Sequence, residues 1–121
     1  MSIDLRQHLG RHGERLAAEH MERLGYEVVA RNHRTRWGEL DLVCFGGATL
    51  VFVEVKTRRG RGAPFDALHD RKRSQVRTMA AAWLAEVQDR PRSADLRFDA
   101  IGVSIDARGR LVRLEHLEGA F

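Results

Sequence analysis

Apolar and polar positions recur along the chain with two different periods, and each change of period marks an element. Over residues 4–24, Leu5, Leu9, Leu16, Ala17, Met21 and Leu24 fall at helical spacing, with Asp4 as N-cap and Gly25 as terminator. Gly10 and Gly13 interrupt the first half of this helix, each costing roughly 1 kcal/mol of propensity relative to alanine. Such glycines suit a place where another backbone, or a phosphate, comes close. From Tyr26 the period falls to two. Tyr26–Ala30 reads as a strand, followed by the polar run Arg31–Trp37. Residues 39–44 and 50–56 read as two strands around a turn at Gly46-Gly47. Thr57–Pro64, rich in arginine and glycine, reads as a loop. A second helix is predicted within 65–88, its stripe of Val76, Met79, Ala80, Trp83, Leu84 and Val87 lying over 70–88, and Pro91 ends it. Leu96–Ile105 and Arg110–Leu117 close the chain as strands around a turn at Asp106–Gly109. The order α-β-β-β-α-β-β predicts an α/β protein, although periodicity by itself leaves α+β open.

The central hairpin breaks the apolar rule. Alternation places Glu39, Asp41 and Val43 on one face of its first strand, opposite Leu40, Leu42 and Cys44. In its second strand Leu50, Phe52, Glu54 and Lys56 share a face, opposite Val51, Val53 and Val55. A strand apolar on both faces is normally covered on both, so Asp41, Glu54 and Lys56 stand where a core strand should be greasy. Two carboxylates about 4 Å apart at an effective dielectric near 20 repel by roughly 4 kcal/mol, which a cation or a shared proton would relieve. Oxygen donors with room for water suit Mg²⁺ or Mn²⁺. A lysine two residues past one carboxylate can hold a water or offset developing negative charge. Two acids plus Glu-x-Lys on adjacent strands therefore suggest metal-assisted phosphodiester hydrolysis. The spacing is equally satisfied by a surface aspartate and a Glu–Lys pair on a half-solvated sheet.

Composition narrows the setting. A chain of 121 residues fits one domain, 1–121, with a single core. Hydrophobic content of 43% and charged content of 31% are those of a soluble globular protein. No apolar run is long enough to span a membrane and no signal-peptide core is present, which points to the cytoplasm and away from membranes. Cys44 is alone and cannot form an internal disulfide. The formal net charge is +4, which favours a polyanionic partner. Arg31, Arg34 and Arg36, with Trp37, flank the acidic strand, and Arg58, Arg59 and Arg61 follow it. Lys72, among Arg71, Arg73 and Arg77, opens the second helix. These groups suit phosphates, and each could equally be a solvated charge run. His8 and His12 lie four apart without a metalloprotease glutamate between them, and the other histidines are scattered.

Three stretches carry a likeness to known proteins: Gly13-Glu14 on the first helix, Gly38-Glu39-Leu40-Asp41-Leu42, and Phe52-Val53-Glu54-Val55-Lys56-Thr57-Arg58. Together they resemble the core of the PD-(D/E)XK, or restriction-endonuclease-like, nuclease superfamily. They are similar to archaeal Holliday-junction resolvases and, more closely, to the small bacterial YraN-like family of predicted endonucleases. The likeness runs over nearly the whole chain, through Arg97-Phe98-Asp99 to Ala120-Phe121, with Leu40 where the superfamily's name has proline. It implies a mixed central sheet flanked by helices and a Mg²⁺- or Mn²⁺-dependent endonuclease acting on DNA, with branched DNA as one candidate substrate. It implies that Asp41 and Glu54 ligate the metal with the carbonyl of Val55, and that Glu14 joins directly or through water. Lys56 would orient or deprotonate the attacking water; Glu39 is a weaker candidate. Asp99 reads as structural rather than catalytic. A symmetric junction needs two active sites, which implies a homodimer. The competing reading is a non-catalytic nucleic-acid-binding protein that keeps the fold.

Overall fold

The computed structural model describes residues 5–60 and 70–121, and for residues 5–7 and 70–74 the helical backbone alone. Arg61 and the side chain of Lys72 therefore lie outside the described residues, as does the segment 61–69. The elements are α1 (Leu5–Arg23), β1 (Glu27–Thr35), β2 (Gly38–Gly46), β3 (Thr49–Arg59), α2 (Asp70–Glu86), β4 (Asp95–Ile105) and β5 (Leu111–Leu117). They form one five-stranded sheet in the order β1-β2-β3-β4-β5. The β3–β4 pair is parallel and the others antiparallel. A parallel pair needs a long crossover, and α2 lies within it.

Each helix covers one face. On one side Ala17, Ala18 and Met21 of α1 pack on Leu42, Cys44, Val51, Val53, Ile101, Val103 and Ile105. On the other, Val76, Met79, Ala80 and Trp83 of α2 pack on Leu40, Val43, Leu50 and Phe52. Cover on both sides explains why Leu50–Val53 is apolar without alternation. The expected α/β architecture, a mixed sheet flanked by the two helices, is the one observed.

Several boundaries move. β1 continues through Thr35, because Arg31, His33, Arg34 and Thr35 keep their pairing with Leu42, Leu40, Glu39 and Gly38 despite their polar side chains. Only Arg36-Trp37 remains as a turn, where the Thr35 hydroxyl accepts the Trp37 N–H at 3.1 Å and donates to the Gly38 carbonyl at 2.9 Å. β3 reaches Arg59, since its ladder with β4 runs on to the Arg59–Ile105 pair, so Thr57–Arg59 belongs to a strand and not to a loop.

The hairpin corner sits one residue later than the Gly-Gly pair suggests. Gly46 pairs with Thr49, and the corners are Gly47 (φ 56°) and Ala48 (φ 66°). A left-handed conformation costs a residue with a Cβ about 1–2 kcal/mol. It is held here by the Ala48 carbonyl, which accepts the Ala94 N–H at 2.8 Å. Ala48→Gly is expected to raise the unfolding free energy in urea by about 0.5–1 kcal/mol. A loss of stability would show that the methyl group earns its place by packing.

The faces of β2 also differ from strict alternation. Leu42 belongs to the α1-side cluster and Leu40 to the α2-side cluster, although they are two residues apart. β2 turns over between them, at Asp41, beyond its last pair with β3, Leu42–Val53. That irregularity makes the site.

Candidate metal centre

Where β2 and β3 part, the Val55 N–H takes the Asp41 side chain as its acceptor, at 2.8 Å from Oδ2. Glu54 stands next to it in β3, buried at 5% exposure, and its carboxyl is hydrogen-bonded to that of Asp41. Burial above all, and then the charge of Glu54, push the Asp41 carboxyl up to about 8; the Val55 amide opposes the rise and Glu14 adds to it. Near neutral pH the pair therefore keeps a proton that exposed carboxylates would have lost.

Glu14 arrives from α1 because Gly13 lets the helix come down on β3. A Cβ at position 13 would lie 2.7 Å from Thr57 Cβ, which no real side chain tolerates. The glycine anticipated for a close approach is thus used against a side chain. Gly13→Ala is expected to cost about 1–3 kcal/mol through this overlap, despite the better helix propensity of alanine. Thermal unfolding would show it, and an unchanged midpoint would mean that α1 can shift freely. Oxygens of Glu14, Glu39 and Asp41 all lie within 4.8 Å of one another.

Two residues without a signal in the sequence complete this corner. Arg11 Nη1 lies 3.2 Å from Glu14 Oε2 and 2.9 Å from Glu39 Oε1. Asn32 Nδ2 donates to Glu14 Oε2 and, at 3.2 Å, to Glu39 Oε1. Asn32 is left-handed, with φ 50°, a conformation asparagine tolerates better than most residues. Burial raises the Glu14 carboxyl above its ordinary value, with Arg11 opposing. The hydrogen bond from Arg11 holds Glu39 below it. Glu39, the weaker candidate on sequence grounds, is thus a full member of the cluster. Its Arg11 partner sits three residues before Glu14, a spacing common on any helix, which is why pattern alone passes over it.

Lys56 follows Glu54 by two residues in β3, half-buried and paired with Gly102 of β4. Val55 is half-buried and packs against the α1-side cluster. Of the arginines, Arg34 lies 3.8 Å from Glu39 at the rim of the cluster, whereas Arg31 turns to Glu22 at 4.0 Å. The Arg36 guanidinium lies 4.7 Å over the Trp37 ring, and Trp37 is 46% exposed rather than packed. Arg58 is half-buried and Arg59 exposed at the end of β3.

A second polar cluster lies under β4 and β5. Asp99, fully buried, accepts Arg97 Nε and Nη2 at 2.8 Å each, His116 Nε2 at 2.7 Å and the Gly119 N–H at 3.1 Å. His116 Nδ1 in turn meets His20 Nε2 of α1 at 3.1 Å, and Arg97 Nη2 donates to the Tyr26 hydroxyl at 3.0 Å. Two of the histidines that look scattered in the sequence therefore meet in the fold. Burial alone would raise the Asp99 carboxyl, but hydrogen bonds from His116 and Arg97 outweigh it and leave it below the ordinary value. Every oxygen of Asp99 faces donors from neighbouring elements, the pattern of a structural anchor. Among the described residues, no helix is long and apolar enough to cross a membrane.

The chain belongs to the family described as Uncharacterised protein family UPF0102, whose model matches residues 13–103. That span holds Glu14, Glu39, Asp41, Glu54 and Lys56, and it stops before β5. A UPF0102 protein of Parafrankia sp. (strain EAN1pec) is 48% identical over 117 residues, covering 95% of this chain and 97% of that protein. A UPF0102 protein of Pelotomaculum thermopropionicum is 44% identical over 121 residues, covering 98% of each chain. Another, from Nitratidesulfovibrio vulgaris, is 43% identical over 121 residues, covering 98% of this chain and 87% of that protein. Kinship is thereby fixed, and the chemistry has to come from the site.

Proposed function

We propose that this protein is a Mg²⁺- or Mn²⁺-dependent endonuclease that hydrolyses phosphodiester bonds in DNA. The observation that carries the reading is the Asp41–Glu54 pair: two touching carboxyls, largely buried, at the point where two central strands separate. A purely structural pair at this place would cost stability that an apolar pair would not. The donors are all oxygens, with Glu14 and Glu39 adjacent, and that set fits a hard divalent cation. Bound there, such a cation would offset the carboxylates and stabilise negative charge developing on phosphate oxygens.

Asp41 and Glu54 would hold it, and the Val55 carbonyl and Glu14 would assist by resemblance to PD-(D/E)XK nucleases. Lys56 would hold the attacking water at Nζ, or take its proton, and would support the charge on the phosphorane. Arg34 at the rim of the cluster, with Arg31, Arg36, Arg58 and Arg59 on the flanking strands and turn, would meet neighbouring phosphates. Resemblance to junction resolvases favours branched DNA and a homodimer as the working form. The cytoplasm is the compartment consistent with such a substrate.

Calorimetric Mn²⁺ titration of wild type and Asp41→Asn, followed by a cleavage screen over branched, flapped, duplex and single-stranded DNA, tests this. Saturable binding and metal-dependent cleavage, both lost in the variant, are expected. Cleavage at the wild-type rate by Asp41→Asn would overturn the assignment. The exposed arginine–tryptophan pair at Arg36 and Trp37 also suits the second reading, a non-catalytic nucleic-acid binder. That protein would bind DNA with a steep salt dependence and no response to divalent metal.

A further inference from the structure

We infer that Arg11 is a built-in counter-cation that confines the carboxylate cluster to a single divalent ion. The inference rests on the metal-dependent reading above and concerns how many ions the site takes. The cluster has two halves with different partners. In the inner half, the described contacts of Asp41 are an amide, Val55 N–H, and another carboxyl, that of Glu54. Neither supplies positive charge. In the outer half, Glu14 and Glu39 share the Arg11 guanidinium, at 3.2 Å and 2.9 Å from Nη1, with a second contact from Nη2 to Glu39 Oε2 at 3.4 Å.

Sites for two divalent ions place them about 3.5–4 Å apart, bridged or flanked by carboxylates. With the oxygens of Glu14, Glu39 and Asp41 within 4.8 Å of one another, an ion beside Asp41 leaves one place for a second, between Glu14 and Glu39. Arg11 Nη1 and Asn32 Nδ2 already stand against the same oxygens of that pair, and of the two only Arg11 brings a positive charge. The guanidinium cannot lose its proton in any ordinary pH range, so its charge is permanent in a way that a histidine's or a water's is not.

The fold keeps Arg11 in position. It lies three residues before Glu14 on α1, on the same side of the helix, and the Gly13–Thr57 approach fixes that helix on β3. Asn32, held left-handed in β1, adds its amide to the same two carboxylates and completes their hydrogen bonding. Arg11 itself is 42% exposed at its side chain, so a shorter neutral residue would leave an opening to solvent and not a buried void.

Mn²⁺ binding to the full chain, counted by calorimetry and by the paramagnetic signal of free Mn²⁺, tests this. Wild type is expected to take one ion per chain, Arg11→Gln two, and Arg11→Lys, which keeps a cation, one. Circular dichroism checks that each variant is folded. If Arg11→Gln does not fold, Arg11→Met with its apolar stem serves in its place. Two ions in the wild type, or one in folded Arg11→Gln and Arg11→Met, would overturn the inference while leaving a metal-dependent site standing. No Mn²⁺ bound to wild type at millimolar concentration would overturn the metal reading itself, and the role of Arg11 with it.

Discussion

Asp41→Asn is expected to unfold at a higher temperature than the wild type in metal-free buffer, and to lose cleavage. The two effects share a cause. An Asp41 carboxyl whose ordinary value of 3.8 is pushed up to about 8 in the fold binds a proton that the unfolded chain releases. Between about pH 4 and pH 8 the folded state therefore holds more protons than the unfolded one, and wild-type stability falls as pH rises through that window. Asparagine resembles the protonated acid: its Oδ1 can still accept the Val55 N–H, and its amide can donate to Glu54. It never acquires the charge. At pH 8 the variant should exceed the wild type by roughly 2–4 kcal/mol, and the difference should vanish near pH 4. Saturating Mn²⁺ should stabilise the wild type and leave Asp41→Asn where it was. Equal denaturation midpoints across pH 4–8 would mean that the two carboxyls do not compete, and the strongest support for a metal centre would be gone.

What the sequence made legible, and what it hid, follows from how far each interaction reaches. The seven elements and their order rest on local periodicity, and they appear in the fold as expected. Asp41, Glu54 and Lys56 stood out because they violate that periodicity. The reversal of β2 between Leu40 and Leu42 was not legible, since alternation is a local rule and the departure is set by where β2 leaves β3. Ala48 at a left-handed corner was hidden for the opposite reason: two glycines offered a cheaper turn, and register overrode them. Arg11 reaches Glu39 across 28 positions of chain and Asn32 reaches Glu14 across 18, distances that no local spacing rule spans, and the three-residue step from Arg11 to Glu14 is too common on helices to single Arg11 out. The His20–His116 contact spans 96 positions and exists only in the folded chain.

That same long-range cluster carries the other large effect. Asp99→Ala is expected to cost about 3–5 kcal/mol, the usual result of removing one partner from a buried ion pair. The change takes the buried acceptor from Arg97, His116 and the Gly119 N–H, and leaves Arg97 only the Tyr26 hydroxyl and Glu118, the latter at 3.8 Å. Asp99→Asn fares little better, because its amide would turn donors toward the Arg97 or His116 donors. Against a total stability of about 5–15 kcal/mol for a chain of this kind, either change takes a large share. The pH dependence runs opposite to that of Asp41. The Asp99 carboxyl lies below its ordinary value, so its contribution is complete above about pH 4 and is lost as pH falls through the folded value. Urea denaturation at pH 7 and pH 3 should show wild type and Asp99→Ala converging in acid. The decisive comparison is metal binding: folded Asp99→Ala should bind Mn²⁺ as the wild type does, because Asp99 is anchored to β5 and α1 through histidines and not to Asp41 or Glu54. A variant that kept its stability and lost Mn²⁺ would move Asp99 from the scaffold into the site.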